Sequence, residues 1–186
     1  EDWREVALFD GSKAQYPQWF HPEATADGGF IARAADGTAI AAQPKGMNFY
    51  DQTFFPWEDD YPAEFDGLPD AMGKVLWAAL AHSPWDHAAD PDFWETLRRN
   101  ALELRAGSDR ALMVVAGCNL FEWGTFLRRI DNFLMDLLAE PGQVERLLDA
   151  LTSIHLRTLE KVCMAVGDVA AAQGLLTIFI GVGQLL

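Results

Sequence analysis

The sequence predicts an α/β fold in which βα units surround a parallel sheet and an N-terminal β-hairpin precedes them. Two observations support this prediction. From residue 68 onward, helical patterns alternate with short apolar runs, which is the order of elements in parallel sheets. Before that point, two alternating strands flank Asp36 and Gly37, a dipeptide typical of hairpin turns. With 186 residues, 50% of them hydrophobic, the chain can form a domain with a substantial core.

The N-terminal part, residues 1–67, divides into three segments. Residues 1–27 show no regular pattern beyond a short apolar island. Residues 30–34 and 38–42 form the predicted hairpin, with a two-residue turn at Asp36 and Gly37. Residues 44–70 are rich in Pro and aromatic side chains, which predicts a long ordered loop packed onto another part of the protein.

Four helices and one strand are predicted after residue 68, and Pro, Gly and capping residues mark their ends. They are a helix after Asp70, a helix opened by a capping box at Asp92 and ended by Gly107, a strand at 111–115, a helix that stops before Pro141, and a helix at 143–166 stopped by Gly167. The uncharged segment 169–186 is interpreted as a buried strand and turn, because its Gly and Gln residues disfavour a membrane span.

Charge and cysteine content limit the classes of partner. Lys and Arg total 14 and Asp and Glu total 28, so the formal charge is −14. Such an acidic surface repels nucleic acid and anionic lipid, which leaves a small molecule as the expected partner, bound where arginines gather. Two cysteines in different contexts indicate no disulfide framework, and the N-terminus shows no signal-peptide pattern. A cytoplasmic location is therefore expected.

The candidate site follows the strand predicted at 111–115, because active sites in parallel α/β proteins lie where strands end. Small and polar residues predict a substrate pocket there, and the pocket residues are Gly117, Cys118, Asn119, Phe121 and Glu122. The alternative is a strand-to-helix turn with a buried, inert thiol. Glu122, flanked by aromatic residues, should have a raised pKa and is a weak catalytic candidate. It could equally be a helix N-terminal carboxylate or an ion-pair partner.

Other polar clusters are interpreted structurally. Arg128 and Arg129 could hold substrate carboxylates, but salt bridges within the domain are favoured. The acidic and histidine residues between 86 and 92 resemble metal ligands, yet Pro84 and Pro91 interrupt the segment and no helical zinc spacing occurs. No metal site is predicted.

The residues that follow the predicted strand resemble the uroporphyrinogen decarboxylase superfamily, in the broad sense that includes cobamide-dependent methyltransferase relatives. The family pattern is a strand ending G-x-x-L-F-E, then L-R, F-L-x-D-L and P-x-x-V-x-x-L-L-D. The matching positions are Gly117, Leu120, Phe121, Glu122, Leu127, Arg128, Phe133, Leu134, Asp136, Leu137, Pro141, Val144, Leu147, Leu148 and Asp149.

The resemblance implies a TIM (β/α)8 barrel. Because such a barrel takes about 250 residues, the chain is expected to be an incomplete domain over 1–186, with the hairpin and loop at 1–67 and the first βα units at 68–186. It also implies a carboxy-lyase that removes CO2 from acetate side chains of a tetrapyrrole in porphyrin biosynthesis without a cofactor. Half a barrel by itself is expected to show no turnover.

Departures from the family pattern keep two alternatives open. The arginine-rich N-terminal motif of true decarboxylases has no counterpart in this sequence. The first alternative is a zinc-dependent methyltransferase that uses a corrinoid, whose His-x-Cys zinc ligands are not in this chain. The second is a non-catalytic fragment or binding protein. The segment after Val169 departs from the family, which suggests a truncated or out-of-frame end, and a homodimer is possible for the family.

Overall fold

The computed structural model describes residues 3–80, 89–112, 114, 116 and 118–171. Six strands precede six helices: β1 (Trp3–Ala7), β2 (Lys13–Pro17), β3 (Glu23–Ala24), β4 (Phe30–Arg33), β5 (Ala39–Gln43), β6 (Asp51–Gln52), α1 (Leu68–Met72), α2 (Leu76–Leu80), α3 (Pro91–Gly107), α4 (Leu120–Arg128), α5 (Ile130–Ala139) and α6 (Pro141–Ala171). They belong to two compact units. The first unit comprises residues 1–82 and 123–147, and the second comprises 83–122 and 148–186.

The predicted partial TIM barrel is wrong. The strands form a two-stranded sheet, β1-β2, and a four-stranded sheet, β3-β4-β5-β6, and every pairing is antiparallel. No barrel of alternating βα units occurs in the described residues. The strand predicted at 111–115 is absent at positions 111, 112 and 114. Val114 instead packs against the buried core residues of α6, so its apolar side chain is partly buried without a sheet.

Three hairpin turns in the first unit share one design. In each, an Asp carboxylate accepts a hydrogen bond from the backbone N–H two residues later, and the Gly between them has a φ of 82° to 88°. The pairs are Asp10 and Ser12, Asp27 and Gly29, and Asp36 and Thr38. Glycine suits this left-handed backbone because it has no Cβ. The predicted hairpin is confirmed, but its turn is a three-residue loop, since Ala34 N–H bonds to the Thr38 carbonyl.

The hairpin β1-β2 was not predicted, because residues 1–27 show only a short apolar island. Its turn, at Asp10, Gly11 and Ser12, has the same chemistry as the turn at Asp36 to Thr38. That repeated Asp-Gly-Ser/Thr signal could have located it. The core of the β segment consists of Phe20, Ala32, Ala34, Ile40 and Ala41, flanked by partly buried Tyr16, Tyr50, Phe54 and Leu76.

The helices differ from prediction at their ends. The helix predicted after Asp70 is two short helices, because α1 ends at Met72, with Gly73 as its C-cap, and α2 begins at Leu76. Helix α3 is capped by Asp90, whose carboxylate accepts from the N–H groups of Asp92 and Phe93, so Asp92 is not the cap. Helix α6 continues through Gly167 to Ala171. The segment interpreted as a strand and turn lies outside the described residues from 172 onward.

The second unit has its own small core. Val162, Ala165 and Val166 of α6 pack against Trp94, Leu97 and Ala101 of α3. Arg98 reinforces this packing with two hydrogen bonds to the Asp168 carboxylate, at 2.7 and 2.8 Å. None of the helices in the described part of the chain is both long and apolar enough to cross a bilayer.

Candidate functional site

The predicted pocket residues lie at the start of helix α4. Cys118 and Asn119 precede Leu120, the first residue of the helix, and both are half-buried. The Cys118 Sγ–H donates to the Ala116 carbonyl at 3.4 Å, and burial raises the pKa of the thiol to about 11. Gly117 lies outside the described residues. At neutral pH the thiol is protonated, which makes Cys118 a poor nucleophile.

Glu122 occupies the first turn of α4. A helix N-terminus favours the charged carboxylate, whereas burial disfavours it. Desolvation by burial raises the pKa of Glu122, in the direction expected from the sequence. Phe121 does not wall off the site as predicted for a pocket residue, since its side chain is 53% exposed. The described segment thus offers one partly buried carboxyl and one partly buried thiol.

The two cysteines should differ in reactivity. Cys163 is exposed, whereas Cys118 is half-buried and has a raised pKa. Because the thiolate is the reactive form, we expect iodoacetamide to modify Cys163 first and Cys118 at least ten times more slowly at pH 8. Mass spectrometry of the wild type, with Cys118→Ser and Cys163→Ser as the single-thiol controls, would measure both rates. Equal rates in the two variants would contradict the raised pKa.

The guanidinium of Arg128 is hydrogen-bonded within the protein and is not placed to bind a substrate carboxylate. Its Nε donates to the Asp136 carboxylate at 2.7 Å, and its Nη1 donates to the carbonyls of Trp57 and Glu58 at 2.8 and 2.6 Å. The side chains of Arg128 and Asp136 are only 12% and 9% exposed. We call this group of Arg128, Asp136 and the two carbonyls the arginine clamp. It confirms the interpretation of Arg128 as an intradomain salt bridge.

Arg129 has the same structural character at the surface. It joins α4 to α5 with a φ of 68°, and its guanidinium donates to the carboxylates of Asp131 and Glu58. Its side chain is 45% exposed. Glu58 of the loop at 44–70 therefore has an ion-pair partner.

The loop at 44–70 packs as predicted. Trp57, Tyr61 and Phe65 stack edge to face, and the Arg128 guanidinium lies 4.9 Å from the Tyr61 ring centre. The Trp57 N–H also donates to the Leu127 carbonyl at 2.9 Å. Burial, and then the Asp136 carboxylate, raise the pKa of the Tyr61 hydroxyl.

Many of the residues that carry the family resemblance have structural roles. Five of them are buried, with at most 6% of the residue's surface exposed: Leu127, Phe133, Asp136, Val144 and Leu147. They hold α4, α5 and the start of α6 in place. The pattern therefore describes a helical core. Glu122 is the partly buried carboxyl group among the matching positions, and its pKa is raised.

The predicted absence of a metal site concerned residues 86 to 92. Asp86 and His87 lie outside the described residues, and Asp90 is the cap of α3. Within the described part of the chain, no group of three or more His, Cys, Asp or Glu side chains is placed to hold a metal ion.

A concave site lies in the first unit, and part of its lining comes from the segment predicted to be irregular. A cavity of about 320 Å³ is lined by Arg4, Val6, Ala7, Leu8, Phe9, Tyr16, His21, Pro22, Phe30, Gln43 and Tyr50. Sequence reasoning missed it because it missed β1 and β2. The signal that could have indicated β1 is the alternation of partly buried Arg4 and Val6 with exposed Glu5.

Comparison of the chain with protein-family models, with curated proteins and with solved structures gives no match.

Proposed function

We propose that the chain takes part in a carboxy-lyase reaction of the kind catalysed by the uroporphyrinogen decarboxylase superfamily, with Glu122 as the proton donor. The proposal rests on the sequence resemblance and on one structural observation, the raised pKa of Glu122. The proposal does not assume a TIM barrel. The expectation that the chain shows no turnover depended on its being half of such a barrel, so that expectation no longer applies.

A carboxyl group with a raised pKa suits the second half of a decarboxylation. When an acetate side chain on a pyrrole loses CO2, the bond between its methylene and carboxyl carbons breaks, and the electron pair moves into the protonated ring. The methylene carbon then takes a proton, as the ring gives up the one it had gained. Glu122 would supply the proton to carbon and recover one from water. No oxidant or cofactor is needed.

The test is anaerobic incubation of the chain with uroporphyrinogen, with the number of carboxyl groups on the products counted by mass spectrometry. We expect CO2 release, and a loss of roughly 100-fold or more in rate for Glu122→Gln, the usual contribution of a general acid. Glu103→Gln, which changes an exposed carboxylate of α3, is the matched control and should leave the rate unchanged.

The pH dependence has a defined sign. The acid form of Glu122 is the active one, so the rate should fall as pH rises through its raised pKa. The raised pKa also means that the folded state favours the protonated carboxyl over the charged one. The free energy of unfolding should therefore decrease as the pH rises from the ordinary carboxyl pKa through the raised pKa of Glu122. Glu122→Gln should remove this dependence from the stability curve.

The alternative proposal is methyl transfer that involves zinc and a corrinoid. It is favoured by one observation, the missing counterpart of the arginine-rich motif of true decarboxylases. Absence of CO2 release together with stoichiometric zinc bound by thiolates would replace the first proposal with the second.

A further inference from the structure

Two residues that line the cavity of the first unit each have a buried polar atom that makes no hydrogen bond of ordinary geometry in the described structure. The Nε of Arg4 and the hydroxyl of Tyr50 are buried, and neither makes a hydrogen bond of ordinary geometry within the described residues. Both residues line the cavity. Leaving such groups unsatisfied costs free energy, so each marks a place where an acceptor from outside the protein would be stabilised.

Arg4 is held in position by its other atoms. Its Nη2 donates to the Phe20 carbonyl at 2.6 Å, and its guanidinium carbon lies 5.8 Å from the centre of the Tyr16 ring. These contacts fix the side chain at the middle of β1 and leave the buried Nε without a hydrogen bond in the described structure. The wall of the cavity therefore contains an oriented cationic N–H group.

Tyr50 complements Arg4 as a neutral donor. Burial, and the neighbouring Tyr16 hydroxyl, raise the pKa of Tyr50 well above its usual range. The hydroxyl therefore keeps its proton at all physiological pH values. A guanidinium N–H and a phenol O–H together suit an acceptor with negative charge and more than one lone pair, which a carboxylate provides.

The rest of the lining defines the size and polarity of the ligand. Phe9, Phe30, Tyr16 and Tyr50 contribute aromatic surface, and no Asp or Glu is among the described lining residues. This locally cationic cavity contrasts with the overall charge of −14. Its volume of about 320 Å³ lies at the lower end of the range for small-molecule sites.

We propose that this cavity binds a small aromatic monocarboxylate, with its carboxylate on Arg4 Nε and the Tyr50 hydroxyl and its ring among Phe9, Phe30 and Tyr16. The site does not depend on the proposed lyase function. It involves neither Cys118 nor Glu122, so each proposal can fail without the other.

The test is isothermal titration of the full chain with benzoate as the probe. We expect benzoate to bind, and Tyr50→Phe to weaken it roughly 10- to 100-fold, the range for a hydrogen bond to a charged group. Arg4→Gln should weaken binding at least as much. Benzamide, which has the same ring without the charge, should bind at least tenfold more weakly than benzoate.

Tyr61→Phe is the matched control, because it removes another buried hydroxyl of the first unit that does not line the cavity. It should leave benzoate affinity unchanged. Since the Tyr50 hydroxyl has no hydrogen bond of ordinary geometry in the described structure, Tyr50→Phe should fold at least as stably as the wild type, which circular dichroism would verify. Three results would each overturn the proposal: no benzoate binding at millimolar concentration, equal affinities for benzoate and benzamide, or equal effects of the two tyrosine variants.

Discussion

Replacing Arg128 by Met is expected to destabilise the protein by roughly 3–5 kcal/mol, the usual cost of removing one partner from a buried ion pair. The Asp136 carboxylate, whose side chain is 9% exposed, would be left without its guanidinium. The carbonyls of Trp57 and Glu58 would lose a donor at the same time. Chemical denaturation, followed by tryptophan fluorescence, would measure the loss.

The neighbouring arginine supplies the control. Arg129→Met removes the same functional group one residue later, from a side chain that is 45% exposed. Exposed pairs contribute roughly 0–1 kcal/mol, so this variant should unfold close to the wild type. The double variant Arg128→Met/Asp136→Leu should recover part of the stability, because it leaves no unpaired buried charge. Equal losses for Arg128→Met and Arg129→Met would show that the clamp has no special role.

The second large effect is expected at Gly124. A Cβ at this position would lie 2.3 to 2.6 Å from three atoms of the Phe133 ring, well inside contact distance. Phe133 is 1% exposed, so its ring has little room to move. Gly124→Ala should therefore lower the free energy of unfolding by about 3 kcal/mol because of overpacking. It should do so even though Ala stabilises a helix by about 1 kcal/mol relative to Gly. Thermal unfolding would give the shift.

Gly167 offers the opposite case. It lies inside α6, where a Cβ would meet the nearest side-chain atom, Cys163 Cβ, at an ordinary 3.9 Å. Gly167→Ala should stabilise the protein by roughly 0.5–1 kcal/mol through helix propensity alone.

A double-mutant cycle tests whether the Phe133 ring causes the destabilisation at position 124. If it does, Phe133→Leu should reduce the loss of stability caused by Gly124→Ala. Additive effects would contradict direct contact.

The elements predicted well are those whose signals are local. The hairpin around Asp36 and Gly37 follows from turn chemistry, and the end of α5 before Pro141 follows from the fixed geometry of proline. The fold class failed because it depended on how elements assemble. A short apolar run such as 111–115 is equally compatible with a buried strand and with an irregular segment packed on helices. In the structure, Val114 packs on helices.

The candidate site shows the same division. The direction of the Glu122 pKa followed from its apolar neighbours, and the structural role of Arg128 was the favoured interpretation. The partners of Arg128 could not be derived, because Trp57 is 71 residues away along the chain. Arg4 and Tyr50 were missed for that reason too. Only the folding of β1 together with the segment before β6 brings their side chains to one cavity.

The spacing of contacts along the chain also suggests an order of folding. The three Asp-Gly turns close loops of a few residues, which form within microseconds. The arginine clamp must close over 70 residues or more, at a larger entropic cost. The hairpins can therefore form while the chain is still being synthesised, and the aromatic loop at 44–70 must wait for α4 and α5. During that interval Trp57, Tyr61 and Phe65 are exposed, which makes this loop the segment most open to chaperone capture before the protein is complete.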